Sequence, residues 1–126
     1  DNELDAPISS GSYRLAGTLV LPCSSGTLGA LATGSATTLL HRAGAVALKE
    51  RWPLVLGFRE TPFNLVQVEN LRTLVWAGAI VAPPIPAFYL GGETPEQFLD
   101  AYAQRLMDHL GLPGGDPALR WDGGRR

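Results

Sequence analysis

Three apolar runs of strand length, each passing through a short turn into a helical pattern, constrain this chain more than any other feature. The runs are Thr18-Leu19-Val20-Leu21-Pro22, Pro53-Leu54-Val55-Leu56-Gly57-Phe58 and Ala79-Ile80-Val81-Ala82. They are continuous rather than alternating, as in strands buried on both faces of a parallel sheet. Strand–helix alternation of this kind predicts an α/β domain. Helical segments follow in step. One covers Leu28–Thr33, and a second, capped by Ser35, runs to about Val46 with Leu39, Leu40, Ala43, Val46 and Ala47 on its apolar side. A third is capped by Thr61 with Pro62 in its first turn, continues through Leu65, Val68, Leu71, Leu74 and Val75, and is closed by Gly78. The fourth has the clearest boundaries: Thr94 and Gln97 form a capping box, Pro95 takes the first helical position, and Phe98, Tyr102, Leu106 and Leu110 recur every fourth residue.

The second strand ends in Arg59-Glu60-Thr61-Pro62. In an open α/β sheet, ligands bind beyond the carboxyl ends of the strands, where helix N-termini point outward. A guanidinium and a carboxylate there are placed to hold an anion and move a proton; the alternative is a surface ion pair. The loops leaving the other two strands are Cys23-Ser24-Ser25-Gly26-Thr27 and Pro83-Pro84-Ile85-Pro86-Ala87-Phe88-Tyr89. A parallel sheet brings all three to one edge. Ser24–Thr27 offers hydroxyl and backbone donors for a phosphate or a flavin edge, or else simply caps a helix. Three prolines fix the third loop as extended chain.

At 126 residues the chain is expected to form one domain over 1–113 with a Gly/Asp/Arg-rich tail over 114–126, in which Trp121 is the large apolar group. A net charge of −2 argues against nucleic-acid binding, and no membrane span is visible, so a cytoplasmic location is expected. Nine of ten basic residues are arginine, whose planar fork suits phosphate and carboxylate. Cys23 is the single cysteine, which excludes an internal disulfide and a cysteine-based zinc cluster; without an activating neighbour it reads as a packed residue. Arg42 and Lys49 lie two turns apart along one helix face, a pattern that solvated helix surface also produces. Arg105 interrupts the last helix beside Leu106, where it either snorkels or faces an anion.

Five blocks in order carry a resemblance to the UbiX-type flavin prenyltransferases: Ser9-Ser10-Gly11-Ser12, Leu21-Pro22-Cys23-Ser24-Ser25-Gly26-Thr27, Leu48-Lys49-Glu50-Arg51-Trp52-Pro53-Leu54-Val55-Leu56, Arg59-Glu60-Thr61-Pro62 and Pro83–Tyr89. The resemblance extends from about Ala6 to Leu112. It implies a flavodoxin-like, three-layer αβα fold, reduced FMN as prenyl acceptor, no metal, and a large homo-oligomer, typically a dodecamer. The implied reaction moves a dimethylallyl group from dimethylallyl phosphate to N5 of reduced FMN and closes a ring on C6, yielding prenylated FMN for a UbiD-type decarboxylase, in ubiquinone synthesis among other routes. By matching position, Ser24, Ser25, Gly26, Thr27 and Arg59 are implied to contact FMN, Arg59 also reaching the substrate phosphate. Tyr89 and Arg105, sixteen residues apart, are implied to bind dimethylallyl phosphate. Glu60, Lys49 and Arg42 are implied to complete the active site, and Trp121 to close a neighbouring subunit's site.

Family members open with a strand and a Gly-Ala-Ser-Gly-type phosphate loop that this sequence lacks, so it is expected to be the later portion of such an enzyme, a truncation, or one half of a two-chain fold. Two other readings are an FMN-dependent decarboxylase of the same fold and a non-catalytic subunit. The decarboxylases rely on a His and an Asn-Met-type motif, whereas Arg59-Glu60-Thr61-Pro62 stands here.

Overall fold

A computed structural model describes residues 5–90 and 94–120. A 3₁₀ turn at Pro7–Ser9 leads into β1 (Thr18–Cys23), α1 (Ser25–Thr33), α2 (Leu39–Glu50), β2 (Leu54–Phe58), α3 (Leu65–Trp76), β3 (Ile80–Val81) and α4 (Pro95–His109), with 3₁₀ turns at Phe88–Leu90 and Pro117–Leu119. The three strands form one parallel sheet in the order β1-β2-β3, with Thr18 beside Leu54 and Val55 beside Ile80. This is the expected α/β architecture.

Its centre is β2, buried at all five positions because it has a strand on either side and helices above and below. Leu54, Leu56 and Phe58 join Val20 of β1, Leu28 and Leu31 of α1, Ala47 of α2 and Leu74 of α3 in one apolar cluster. The opposite face is covered by α4, whose Tyr102 reaches Gly57 beside Leu21, but only in part: Leu19 is 40% exposed and Leu21 49%. β1 therefore departs from the expectation of burial on both faces. Among the described residues it lies at the edge of the sheet, and its register slips between Val20 and Cys23, the two positions that turn into the core.

Two helix starts also differ from the sequence expectation. Thr38, not Ser35, caps α2, its hydroxyl accepting the His41 N–H at 3.2 Å, and the helix runs on to Glu50 rather than stopping near Val46. Asn64, not Thr61, caps α3, because Asn64 and Gln67 form a reciprocal capping box that satisfies two backbone donors at once. Pro62 lies in the bend before it. Gly78 follows α3 with φ +102°, the conformation glycine supplies without strain, and the Thr94–Gln97 box and Pro95 open α4 as expected. Leu65, Val68 and Val75 are on the helix but face outward.

Candidate active site

The three loops do meet at the carboxyl edge. Ser24 caps α1, its Oγ accepting the Thr27 N–H at 3.1 Å. Ser25 and Gly26, the first two helical residues, then have N–H groups with no intrahelical acceptor. Gln67 Nε2 donates to Ser25 Oγ at 3.0 Å, tying the start of α3 to the start of α1. Ala82 donates its N–H to Leu56 O at 2.9 Å, which lays the head of the third loop beside the end of β2. Tyr102 of α4 fixes it there, its hydroxyl donating to Ala82 O at 2.7 Å. This phenol passes over Gly57, where a Cβ would stand 2.9 Å from its oxygen.

Arg59 and Glu60 lie between these loops. They do not pair with each other: Glu60 Oε1 accepts the Thr61 N–H at 3.0 Å, and Arg59 has no ion pair among the described residues. Arg59 is exposed at the same carboxyl edge as the N-terminus of α1, and a guanidinium and a helix N-terminus each favour an anion. A Cβ at Gly26 would meet only Ser24 Oγ, at 3.8 Å, so nothing crowds the turn. Donors of this kind suit the polar edge of a flavin ring.

A cavity of about 580 Å³ opens beyond β3, between the third loop and α4. Ile85, Phe98 and Tyr102 give it an apolar side, while Tyr89 and Arg105 enter the same space. Phe98 is held by an edge-on contact with Phe88, ring centres 5.1 Å apart. Arg105 is exposed and makes no ion pair among the described residues, an arrangement that a snorkelling side chain and an anion-facing one share. Asp108 and Arg120, paired with each other, also line the cavity.

Lys49 stands apart. It lies near the end of α2, which leads into the start of β2, so it sits at the opposite, amino edge of the sheet from Arg59. There it pairs with Glu50 at 3.0 Å and borders a second cavity with Trp52 and Trp76. Arg42, in the first turn of α2, is exposed toward the carboxyl side. Trp121 lies outside the described residues. Cys23 is buried beneath the Ser24 turn, and burial pushes its thiol up to about 11.

Sequence reasoning missed Tyr102 as a loop anchor and Gln67 as a bridge. The Asn64–Gln67 spacing was a legible capping signal; the Tyr102 contact joins residues twenty apart and had none.

No family model matches the chain. It is 43% identical over 97% of its residues to a flavin prenyltransferase UbiX of Synechocystis, and 42% over 95% to that of Pseudomonas aeruginosa. It spans 59% and 57% of those proteins' lengths. Among solved structures, AnUbiX (PadA1) in complex with FMN and dimethylallyl pyrophosphate superposes with a TM-score of 0.88 at 40% identity, covering 97% of this chain and 64% of that one. A dodecameric FMN-dependent UbiX-like decarboxylase from Escherichia coli gives 0.87 at 40% over the same shares, and a phenylacrylic acid decarboxylase from Aquifex aeolicus 0.86 at 37%, covering 92% of this chain and 67% of that one. No helix among the described residues is long and apolar enough to cross a membrane. At this identity over nearly all of its residues, the chain belongs to the UbiX-type flavin prenyltransferase family.

Proposed function

We propose that this chain carries the flavin- and prenyl-phosphate-binding portion of a flavin prenyltransferase, a transferase that moves a dimethylallyl group from dimethylallyl phosphate to reduced FMN. The observation that carries the reading is the pairing of Tyr89 and Arg105 on one cavity beside the three gathered strand-end loops. When bound, reduced FMN supplies the nucleophilic nitrogen that accepts the prenyl carbon. The chain's own residues do the rest. Ser25 and Gly26 N–H groups and the Thr27 hydroxyl hold the polar edge of the flavin, and Arg59 holds negative charge next to it. Arg105 and the Tyr89 hydroxyl take the phosphate of the donor. As the carbon–oxygen bond breaks, charge builds on the leaving phosphate, and a cation and a hydrogen-bond donor fixed in place stabilise it without reorganisation. Ile85 and Phe98 offer the prenyl chain an apolar wall and keep water from the reacting carbon. Glu60 takes the proton released at the flavin.

Lys49 and Arg42 are assigned to the same reaction, and Lys49 can serve it only from a second copy, because its own sheet separates it from Arg59. The reading therefore includes a homo-oligomer, in line with the dodecameric relative. The related structure was solved with the pyrophosphate donor, and phosphate and pyrophosphate are both to be tried here. A UbiD-type decarboxylase as recipient of the product and a cytoplasmic location belong to the same proposal.

The test is a titration of the 126-residue chain with FMN, following flavin fluorescence, then anaerobic incubation with reduced FMN and each donor. Saturable quenching and a flavin heavier by one prenyl unit are expected. Absence of saturable quenching would refute the claim that this chain holds the flavin by itself.

A further inference from the structure

The pair Asp108–Arg120 lines the same cavity as Tyr89 and has no role in the chemistry above. Arg120 joins Asp108 through both its Nε, at 3.2 Å from Oδ2, and an Nη on Oδ1. Gln104, one turn earlier on α4 and 5% exposed, donates to the same Oδ1 at 2.9 Å. Arg120 also donates to Gly114 O at 3.3 Å, so one guanidinium grips both the helix and the strand of chain that runs back over it. Between these points a short 3₁₀ turn, capped by Asp116 onto the Ala118 N–H at 2.8 Å, stiffens the segment.

Arg105 stands three residues before Asp108, one turn away on the same helix face, where an aspartate and an arginine ordinarily pair. Asp108 makes no direct ion pair with it, although the Arg105 charge acts on the carboxylate from a distance. Both carboxylate oxygens are given to Arg120, one of them shared with Gln104, and Arg105 is left without an ion pair among the described residues. We propose that Asp108 and Arg120 are positioning residues: their ion pair latches segment 114–120 onto α4 as one wall of the Tyr89–Arg105 cavity, and by occupying Asp108 it keeps Arg105 free for the anion. The ligand half of this rests on the prenyl-phosphate reading above; the latch does not.

The two halves separate in two substitutions. Arg120→Gln opens the latch and releases Asp108 to neutralise Arg105. Asp108→Asn opens the latch but leaves both arginines cationic. Hydrogen exchange at the Leu119 and Arg120 amides, which donate to Asp116 O and Pro117 O, reports the latch. Binding of inorganic phosphate and of dimethylallyl phosphate, followed by calorimetry, reports Arg105. Exchange should accelerate about tenfold in both variants. The phosphate dissociation constant should rise about fivefold or more in Arg120→Gln and not in Asp108→Asn. Arg120→Lys, which keeps the charge without the fork, should fall between wild type and Arg120→Gln in both measurements. Unchanged exchange in Arg120→Gln and Asp108→Asn would overturn the latch, and equal weakening of phosphate by both would overturn the reservation of Arg105. A wild-type chain that binds neither anion, with exchange still accelerated in the variants, would uphold the latch and refute the ligand reading instead.

Discussion

Gly57→Ala is the substitution whose cost can be worked most directly from the geometry. Gly57 points from β2 toward α4, and a Cβ there would stand 2.9 Å from the Tyr102 hydroxyl oxygen and closer still to the end of the Leu21 side chain. Leu21 is 49% exposed, so its methyl group can swing into solvent at little cost. Tyr102 cannot yield as cheaply, because its hydroxyl is committed to Ala82 O at 2.7 Å. Overpacking of this kind costs about 1–3 kcal/mol, and the smaller entropy of the unfolded alanine chain returns about half a kcal/mol. A net loss of about 2 kcal/mol is expected for Gly57→Ala, roughly half of it the displaced hydrogen bond. Tyr102→Phe alone should cost about 1 kcal/mol, since it deletes that bond and leaves Ala82 O without its side-chain donor. In the double variant there is no hydroxyl to displace, so the new methyl group occupies the vacated space. The double loss should then fall short of the sum of the two single losses by about 1 kcal/mol. Urea unfolding followed by far-ultraviolet circular dichroism on the four proteins measures this cycle. Strict additivity would show that Tyr102 and Gly57 do not share the space assigned to them, and the account of how the third loop is anchored would fall with it.

Replacing Arg59 by alanine should weaken FMN affinity by one to two orders of magnitude, as expected for loss of a charged hydrogen bond worth about 1.5–3 kcal/mol, and equal titration curves would remove Arg59 from the site. For Glu60→Gln, FMN binding should persist while prenylated product forms at least about tenfold more slowly; a wild-type rate would mean that some other group moves the proton. Cys23, whose thiol is raised from 9.0 to about 11, should carry about a hundredfold less thiolate near neutral pH than an exposed cysteine and resist iodoacetamide until the chain unfolds, so rapid labelling of native protein contradicts its burial. Asp108 is held below its ordinary 3.8 first by the hydrogen bond from Arg120, against a smaller opposing cost of burial, and then by Gln104 and the charges of Arg120 and Arg105. A carboxylate depressed in the folded state contributes its stabilisation above the unfolded value and loses it as pH falls through the folded one. Protection of the Leu119 and Arg120 amides, the observed exchange taken against the intrinsic rate at each pH, should therefore persist from neutrality down past pH 4 and fall only below that, and protection already lost at pH 5 would mean the pair does not hold the tail.

Most of the fold could be read from local signals. β2 was legible because a strand buried on both faces has to be apolar at every position, and α4 because a capping box, an initial proline and a fourfold apolar repeat all agree. β1 differs from that reading: among the described residues it has a neighbour on one side, and Leu19 and Leu21 stay half exposed although their letters are those of a buried strand. The starts of α2 and α3 were misplaced because several residues in each turn are able to cap. Thr38 and Asn64 were selected by where the following amides fall, which the composition of the turn does not disclose. Within the site, Ser24–Thr27, Arg59, Glu60 and Tyr89 were legible as strand-end residues and Arg105 as a charge interrupting an apolar helix face, whereas the joint role of Tyr89 and Arg105 came from family likeness, and the cavity is what puts them in one lining. The Asp108–Arg120 pair spans twelve residues across a turn of glycine and proline, and no periodicity marks it.

The parallel sheet also decides which of the implied residues can act together. A strand of five residues such as β2 spans roughly 16 Å, and helices return antiparallel to it. The end of α2, which feeds β2, is consequently at the amino edge, and whatever follows β2 is at the carboxyl edge. Arg59 and Glu60 follow β2, while Lys49 ends α2, so no rotamer change within one chain brings them to the same substrate. Arg42 is two turns earlier on that helix, about 10 Å along its axis toward the carboxyl side. If Lys49 contributes to prenyl transfer, it does so across an interface. Its loss by Lys49→Ala would then be complemented in mixed assemblies by copies that lack Arg59 instead, each supplying what the other has lost. Two inactive variants that recover activity on co-assembly would place the site between chains. Failure to complement, with each variant folded and assembled, would confine the active residues to the carboxyl edge of a single chain.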